Sequence, residues 1–338
     1  MDNSVNEKCE LLSNNRSIIH KSFLFEKEPM SVIAALIYTS AGKEADTEKM
    51  KSCRKLLKKN TRPLSGLRDI VELVLLSKMA LSEDPERYLS DLIAVYEKIT
   101  TGNILETDYM ILSAILILDL ELQDNCDEII TRAKELTKEM NSKHPILTAS
   151  DDASFIMFLA ITQKSIDDIL ADLEEGFTYI TNTCKFNASS DAIYELCEVL
   201  ALSYGDMKDK CDKALRIYKV LKDHKIDYVG GSNLSELGAL IDIDLDPETI
   251  ANEIIKTEEY LKGMTGFKES SCDRKTRVMY ASYIIADIYG KNTESAGNAV
   301  ISNTVSFIRA KQIANMISII SSVGSSALSS AIKTEENC

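Results

Sequence analysis

The chain alternates between two kinds of helical segment, and the pair returns about every forty residues. That beat restricts the available folds more than any other feature. One kind of segment is apolar almost all round. The other is apolar on one side only. In Ser65–Leu81 the apolar residues Leu67, Ile70, Val71, Val74, Leu75 and Met79 fall three and four apart, which makes one stripe of a helix. Ser82-Glu83-Asp84-Pro85 follows, with a capping side chain and a proline suited to a first helical turn. The next segment sets Leu89, Leu92, Ile93, Tyr96 and Ile99 along one side. First helices begin near Met30, Ser65, Glu106, Thr148, Ala188, Ser232 and Cys272, about 35, 41, 42, 40, 44 and 40 residues apart. The short polar or acidic turns within the pairs are Gly42–Asp46, Ser82–Pro85, Gln123–Asp124, Thr162–Ser165, Ser203–Asp206 and Asp244–Pro247.

A hairpin of this kind cannot bury its apolar face alone, so neighbours must stack. The expected fold class is therefore all-α, an α-solenoid or α/α-toroid-like array of roughly seven helical hairpins with a period of about forty residues. The scarcity of chain breakers, 13 Gly and 5 Pro in 338 residues, agrees with helices. No Ser/Gly-rich linker divides the array, so a single domain over 1–338 is expected. Within it, 1–28 reads as N-terminal cap helices, 29–290 as hairpins and 294–332 as a C-terminal closing helix. Whether the array stays open or closes depends on small rotations per repeat. Ala296–Ile332 is rich in Ser, Ala and Ile and poor in charge. It reads as a core helix that closes the array, as a homodimer surface, or as a membrane-surface helix. Its cations Arg309 and Lys311 are few for the last role.

Charge excludes some partners. With 39 Lys+Arg against 53 Asp+Glu the net charge is −14, which argues against nucleic acid and against recruitment to anionic lipid. Eight cysteines are scattered with no C-x-x-C pair, and Met1–Ser4 does not open a secretion signal, a combination expected of the reducing cytoplasm. The longest apolar runs, such as Met110–Leu118, fall short of the ~20 residues of a membrane span.

Four segments carry a family resemblance: Asn15–Ile19 with Met30–Lys43, the His144–Asp152 loop, Thr276–Ala281, and the low-complexity tail around Ala310-Lys311-Gln312. Together they resemble an all-helical bacterial family, mainly of Firmicutes, known as domain of unknown function four thousand and three. The resemblance covers nearly the whole chain. It implies a cytoplasmic bacterial origin and supplies no activity, so no catalytic residue is carried over.

The sequence holds no phosphate-binding loop, dinucleotide fingerprint, zinc-protease helix, nucleophile elbow or EF-hand. No cofactor and no metal are assigned. His20, His144 and His224 lie far apart, and a metal site would require them to converge from separate repeats. Asp119 and Glu121, and likewise Asp242 and Asp244, end buried helices, where acids are expected to cap the helix that follows. Paired carboxylates doing acid–base work is the other reading of these positions.

The loops entering the first helices carry the candidate binding residues Arg68, Thr148, Asp151, Asp152 and Arg277, with Arg62, Lys268, Arg274 and Lys275 nearby. In a repeat array such loops line one edge and can hold a small polar or anionic ligand. In the simpler reading, Asp151 caps a helix and Arg277 pairs with a neighbouring acid. Asp151 and Asp152 point about 100° apart on a helix and do not share a proton. Two functions follow. One is a non-catalytic scaffold that binds a protein or peptide on a concave face. The other is a small-ligand binder or enzyme with its site where the loops converge.

Overall fold

The structure, a computed structural model, describes residues 3–26, 28–62, 65–68, 71–101, 109–143, 153–162, 164–183, 188–226 and 234–290. Among these residues all regular structure is helical. The α-helices are α1 (Asn3–Ser22), α2 (Glu28–Ser40), α3 (Thr47–Asn60), α4 (Glu72–Leu81), α5 (Pro85–Thr101), α6 (Tyr109–Asp119) and α7 (Cys126–Lys143), followed by α8 (Ala153–Ile161), α9 (Ile166–Thr183), α10 (Ser190–Ala201), α11 (Met207–Asp223), α12 (Pro247–Lys262) and α13 (Arg274–Tyr289). A 3-10 helix, Leu234–Leu240, lies between α11 and α12.

Two series separate by burial. In α4 every residue from Glu72 to Ala80 except Lys78 is buried, and in α13 every residue from Arg277 to Asp287 is. α2, α10 and the 3-10 helix belong to the same series. The second series is amphipathic. α3 buries only Met50, Cys53 and Leu57, and α5 only Leu89, Leu92, Val95 and Ile99. The helix period of 3.6 explains both patterns, since a stripe three and four apart faces one neighbour while an unbroken apolar run must be covered on all sides.

Five of the turns that the sequence marks carry a side-chain cap for the helix that follows. Asp46 Oδ1 accepts from Lys49 N at 2.9 Å, and Asp84 Oδ1 accepts from Arg87 N at 3.0 Å. Ser165 Oγ, Asp206 Oδ1 and Asp246 Oδ1 do the same for α9, α11 and α12. Such caps satisfy N–H groups that have no partner within the helix.

Two elements differ from the expected pattern. The segment near Ser65 begins with a 3-10 turn, Gly66–Arg68, and the α-helix proper starts only at Glu72. The segment near Ser232 stays 3-10 throughout Leu234–Leu240, with all seven residues buried. Gly238 explains the close packing there, because a Cβ on it would lie 2.7 Å from Val199 Cγ1 of α10.

Helices of the buried series pack on one another: α2 on α4, α6 on α8, α8 on α10, α10 on the 3-10 helix, and the 3-10 helix on α13. In the amphipathic series α1 packs on α3, α3 on α5, α5 on α7, α9 on α11, and α11 on α12. The N-terminal segment is one helix of 20 residues. It packs on α2 and also on α12 and α13, so the two ends of the described chain meet. One apolar cluster runs from Val5 to Ala286. No helix among the described residues is long and apolar enough to cross a membrane. The expected closing helix 294–332, the dimer surface Ala296–Ile332 and the site residues Thr148, Asp151 and Asp152 lie outside the described residues.

Candidate functional site

Arg277 sits in the first turn of α13, which Asp273 caps by accepting from Thr276 N at 3.0 Å. It does not face solvent. Its Nε donates to Glu258 Oε1 of α12 at 2.8 Å, and both residues are 1% exposed. Its Nη1 donates to the carbonyls of Phe267, at 3.3 Å, and Cys272. Arg274 reaches Glu258 Oε2 at 3.4 Å and the His224 carbonyl at 3.3 Å. Glu258 is thus held between two guanidinium groups, and a ligand for Arg277 would have to displace a buried carboxylate. The Arg16 guanidinium of α1 lies over the Phe267 ring, 5.8 Å from its centroid. Phe267 meets Tyr280 edge-on at 5.8 Å.

Arg68, the other described candidate, is half-buried on the 3-10 turn before α4, with its N–H on the Ser65 carbonyl at 2.9 Å. The structure therefore places two of the five candidates on different elements, and one of the two is fully engaged inside the fold.

The turn edge shows an arrangement that the motifs did not flag. Lys8, Lys49, Arg132 and Lys213 lie on amphipathic helices. Each donates to a carbonyl 30 to 33 residues further on, at the end of the next buried segment: Thr39 at 3.2 Å, Ser82 at 2.9 Å, Lys164, and Ile243 at 2.5 Å. A cation is favoured there because the last carbonyls of a helix lack partners and the helix end is negative. Lys164 and Lys210 do the same together at the end of α10. Lys164 Nζ binds the Ala201 carbonyl at 2.8 Å and Asp172 Oδ2 at 2.6 Å, and Lys210 Nζ binds the Leu200 carbonyl at 2.9 Å. Burial and the neighbouring Lys164 ammonium lower the pKa of Lys210 below the usual lysine range. A sign of this in the sequence was a cation recurring in the second helices at a near-constant offset from the next turn.

Asp119 and Asp242 also take on a different role from the expected one. Asp119 pairs with Lys78 of α4 at 2.5 Å, and Asp242 accepts from Ser203 Oγ at 2.6 Å. Both tie neighbouring pairs together, while the capping falls to residues such as Asp206 and Asp246 that sit at the N-terminus of the following helix. His224 Nδ1 lies 2.9 Å from the Val220 carbonyl at the end of α11. Among the described residues no group of three or more His, Cys, Asp or Glu could hold a metal ion. The described cysteines are free thiols. Burial pushes Cys9 and Cys211 up to about 12, so neither offers a thiolate at neutral pH.

Two groups of exposed side chains are each close together in the sequence. Lys55, Lys58 and Lys59 of α3 and the adjacent Arg62 are exposed, and none has an acidic partner among the described residues. Leu24 and Phe25, between α1 and α2, are 67% and 103% exposed. No apolar period marks Phe25, which is why the sequence did not single it out.

No curated protein and no solved structure matches the chain. One family model matches residues 16–314, a stretch that takes in the C-terminal third of α1 and every later described helix. The chain belongs to the family described as Protein of unknown function (DUF4003).

Proposed function

We propose that this chain is a cytoplasmic, non-catalytic helical-repeat protein whose seven pairs of helices close into a two-layered ring, and that it binds a protein or peptide partner on its outer surface. The position of α1 supports the ring. Lys8 binds both Asp287 of α13 and the Thr39 carbonyl of α2, Ser13 donates to the Thr265 carbonyl at 3.2 Å, and Tyr260 donates to Glu10 at 3.0 Å. In this arrangement α1 is the outer partner of α13 and, among the described residues, the array has no free end. Free thiols in the core suit a reducing compartment.

The observation that carries the binding reading is the engagement of Arg277. The strongest ligand-recognising group on the loop edge is paired with Glu258 inside the fold, while exposed charge without a partner is found on an outer helix. Recognition then belongs to the outer layer. Affinity capture of the full chain from its native cytoplasm, with mass spectrometry of both proteins and small molecules, tests this. A reproducible, stoichiometric protein is the expected result. A co-purifying small molecule with no protein would replace this reading with the ligand-site one.

A further inference from the structure

α3 buries Met50, Cys53 and Leu57. At 100° per residue, Lys51, Lys55, Lys58 and Lys59 fall on the opposite side. Not all of the α3 charge is available. Lys51 pairs with Glu48 at 2.8 Å, Lys49 caps the end of α4, and Arg54 binds Glu26 at 2.5 Å and Glu72. Lys55, Lys58, Lys59 and Arg62 remain exposed without an acidic partner among the described residues, on a molecule of net charge −14. The helix end favours a cation in its last turn, which accounts for Lys58 and Lys59 but not for Lys55 or Arg62.

The exposed apolar pair borders this basic face. Arg54 lies 4.9 Å from the Phe23 ring centroid and binds Glu26, so the segment between α1 and α2 is anchored to α3 at both ends of Leu24-Phe25. Lys58 is one turn beyond Arg54 on the same side of α3. Single exposed apolar residues are ordinary. Two adjacent bulky ones beside four unpaired cations leave apolar area uncovered at a place that also attracts negative charge.

We propose that the exposed face of α3 and the Leu24–Phe25 tip form a docking surface for an acidic protein segment bearing a bulky apolar side chain. This proposal rests on the partner-binding reading above and names the chemistry of that partner. Charge complementarity selects the occupant. A short acidic segment lies within a Debye length, about 8 Å, of the four cations and is screened from the rest of the molecule. An anionic bilayer is extended and faces the repulsion of the whole acidic surface.

The test uses the full chain and a short fluorescein-labelled peptide of Glu and Asp with one Leu and one Phe at its centre, followed by fluorescence anisotropy. Saturable binding is expected. Combined Lys55→Glu, Lys58→Glu and Lys59→Glu substitution should weaken it at least about tenfold, and Phe25→Ser several-fold, with the chain still folded and thermal unfolding lowered only slightly in the charge-reversed chain, by the loss of the helix-end cations. Equal affinity for the charge-reversed variant, equal affinity for an all-acid peptide lacking Leu and Phe, or absence of saturable binding overturns the proposal. So does retention on phosphatidylserine vesicles without peptide binding. Parallel capture with the parent and the charge-reversed chain separates the two levels. The same partner on both chains removes this surface and leaves the partner-binding reading in place. No partner on either chain removes both.

Discussion

Glu258 is the residue whose loss should be felt most. It is buried between Arg277 and Arg274, and truncating it strands a guanidinium in the core. Glu258→Ala should cost about 3–5 kcal/mol in denaturant unfolding, the range for removing one partner of a buried ion pair, and an unchanged midpoint would show that Arg277 finds other compensation. Gly266 has a backbone requirement of its own. Its φ is +88°, a conformation that disfavours side chains, and a Cβ there would overlap the Arg16 guanidinium. Gly266→Ala should therefore destabilise by roughly 1–3 kcal/mol, and part of that cost should vanish when Arg16→Ala is combined with it. Strict additivity in the double-mutant cycle would separate the backbone effect from the steric one. Neither residue was legible beforehand, because Glu258 and Arg277 are 19 apart in sequence, and Arg16 and Gly266 are 250 apart.

At the scale of elements, the caps are local and were readable. An acidic or hydroxyl residue directly before a helical stripe has its N–H partners two or three residues away. Asp206→Ala and Asp246→Ala should each cost about 1 kcal/mol, measured by chemical denaturation. The cations on the turn edge are a different matter, since each acts on a carbonyl in the next pair of helices. Lys49→Met should cost about 1 kcal/mol and speed amide hydrogen exchange at the end of α4 without affecting the α3 amides. Equal protection at both places would count against the staple. The apolar runs were legible as buried helices because their period is intrinsic to the chain. The 3-10 geometry of Leu234–Leu240 was not, because its apolar run reads equally as an α-helix and its close approach to α10 at Gly238 is a tertiary contact.

For the molecule as a whole, the seam at α1 and the ionisation of the core are the two sensitive points. Asp287 is 2% exposed and takes Lys8 and the Ser40 hydroxyl, the latter at 2.5 Å. Asp287→Asn should destabilise by about 2 kcal/mol, less than a fully buried pair because Lys8 is one-fifth exposed. Hydrogen exchange should rise first in α1. The core should also set an alkaline limit. Burial raises the pKa of Cys9, Cys53, Cys126, Cys197 and Cys211, and of Tyr38 and Tyr88. The folded chain keeps these protons longer than the unfolded one, so their contribution is complete below the ordinary thiol value of 9.0 and is lost as pH rises towards about 12. Circular dichroism should show cooperative unfolding in that range, coincident with thiolate absorbance. Thiolate appearing with the fold intact would contradict the burial effect. Lys210 and Lys213 work in the opposite direction, since burial lowers both and stability recovers as they deprotonate, but they are two groups against seven.

By itself the sequence determined that the chain is helical, where most of its turns fall and which residues cap the helices that follow, because all of these depend on neighbours within a few positions along the chain. Tertiary structure alone decided that α1 meets α12 and α13, that Arg277 is spent on Glu258 and that Lys55, Lys58 and Lys59 are left facing water. Those outcomes depend on how helices distant in sequence pack across the molecule, and no local pattern of residues encodes that packing.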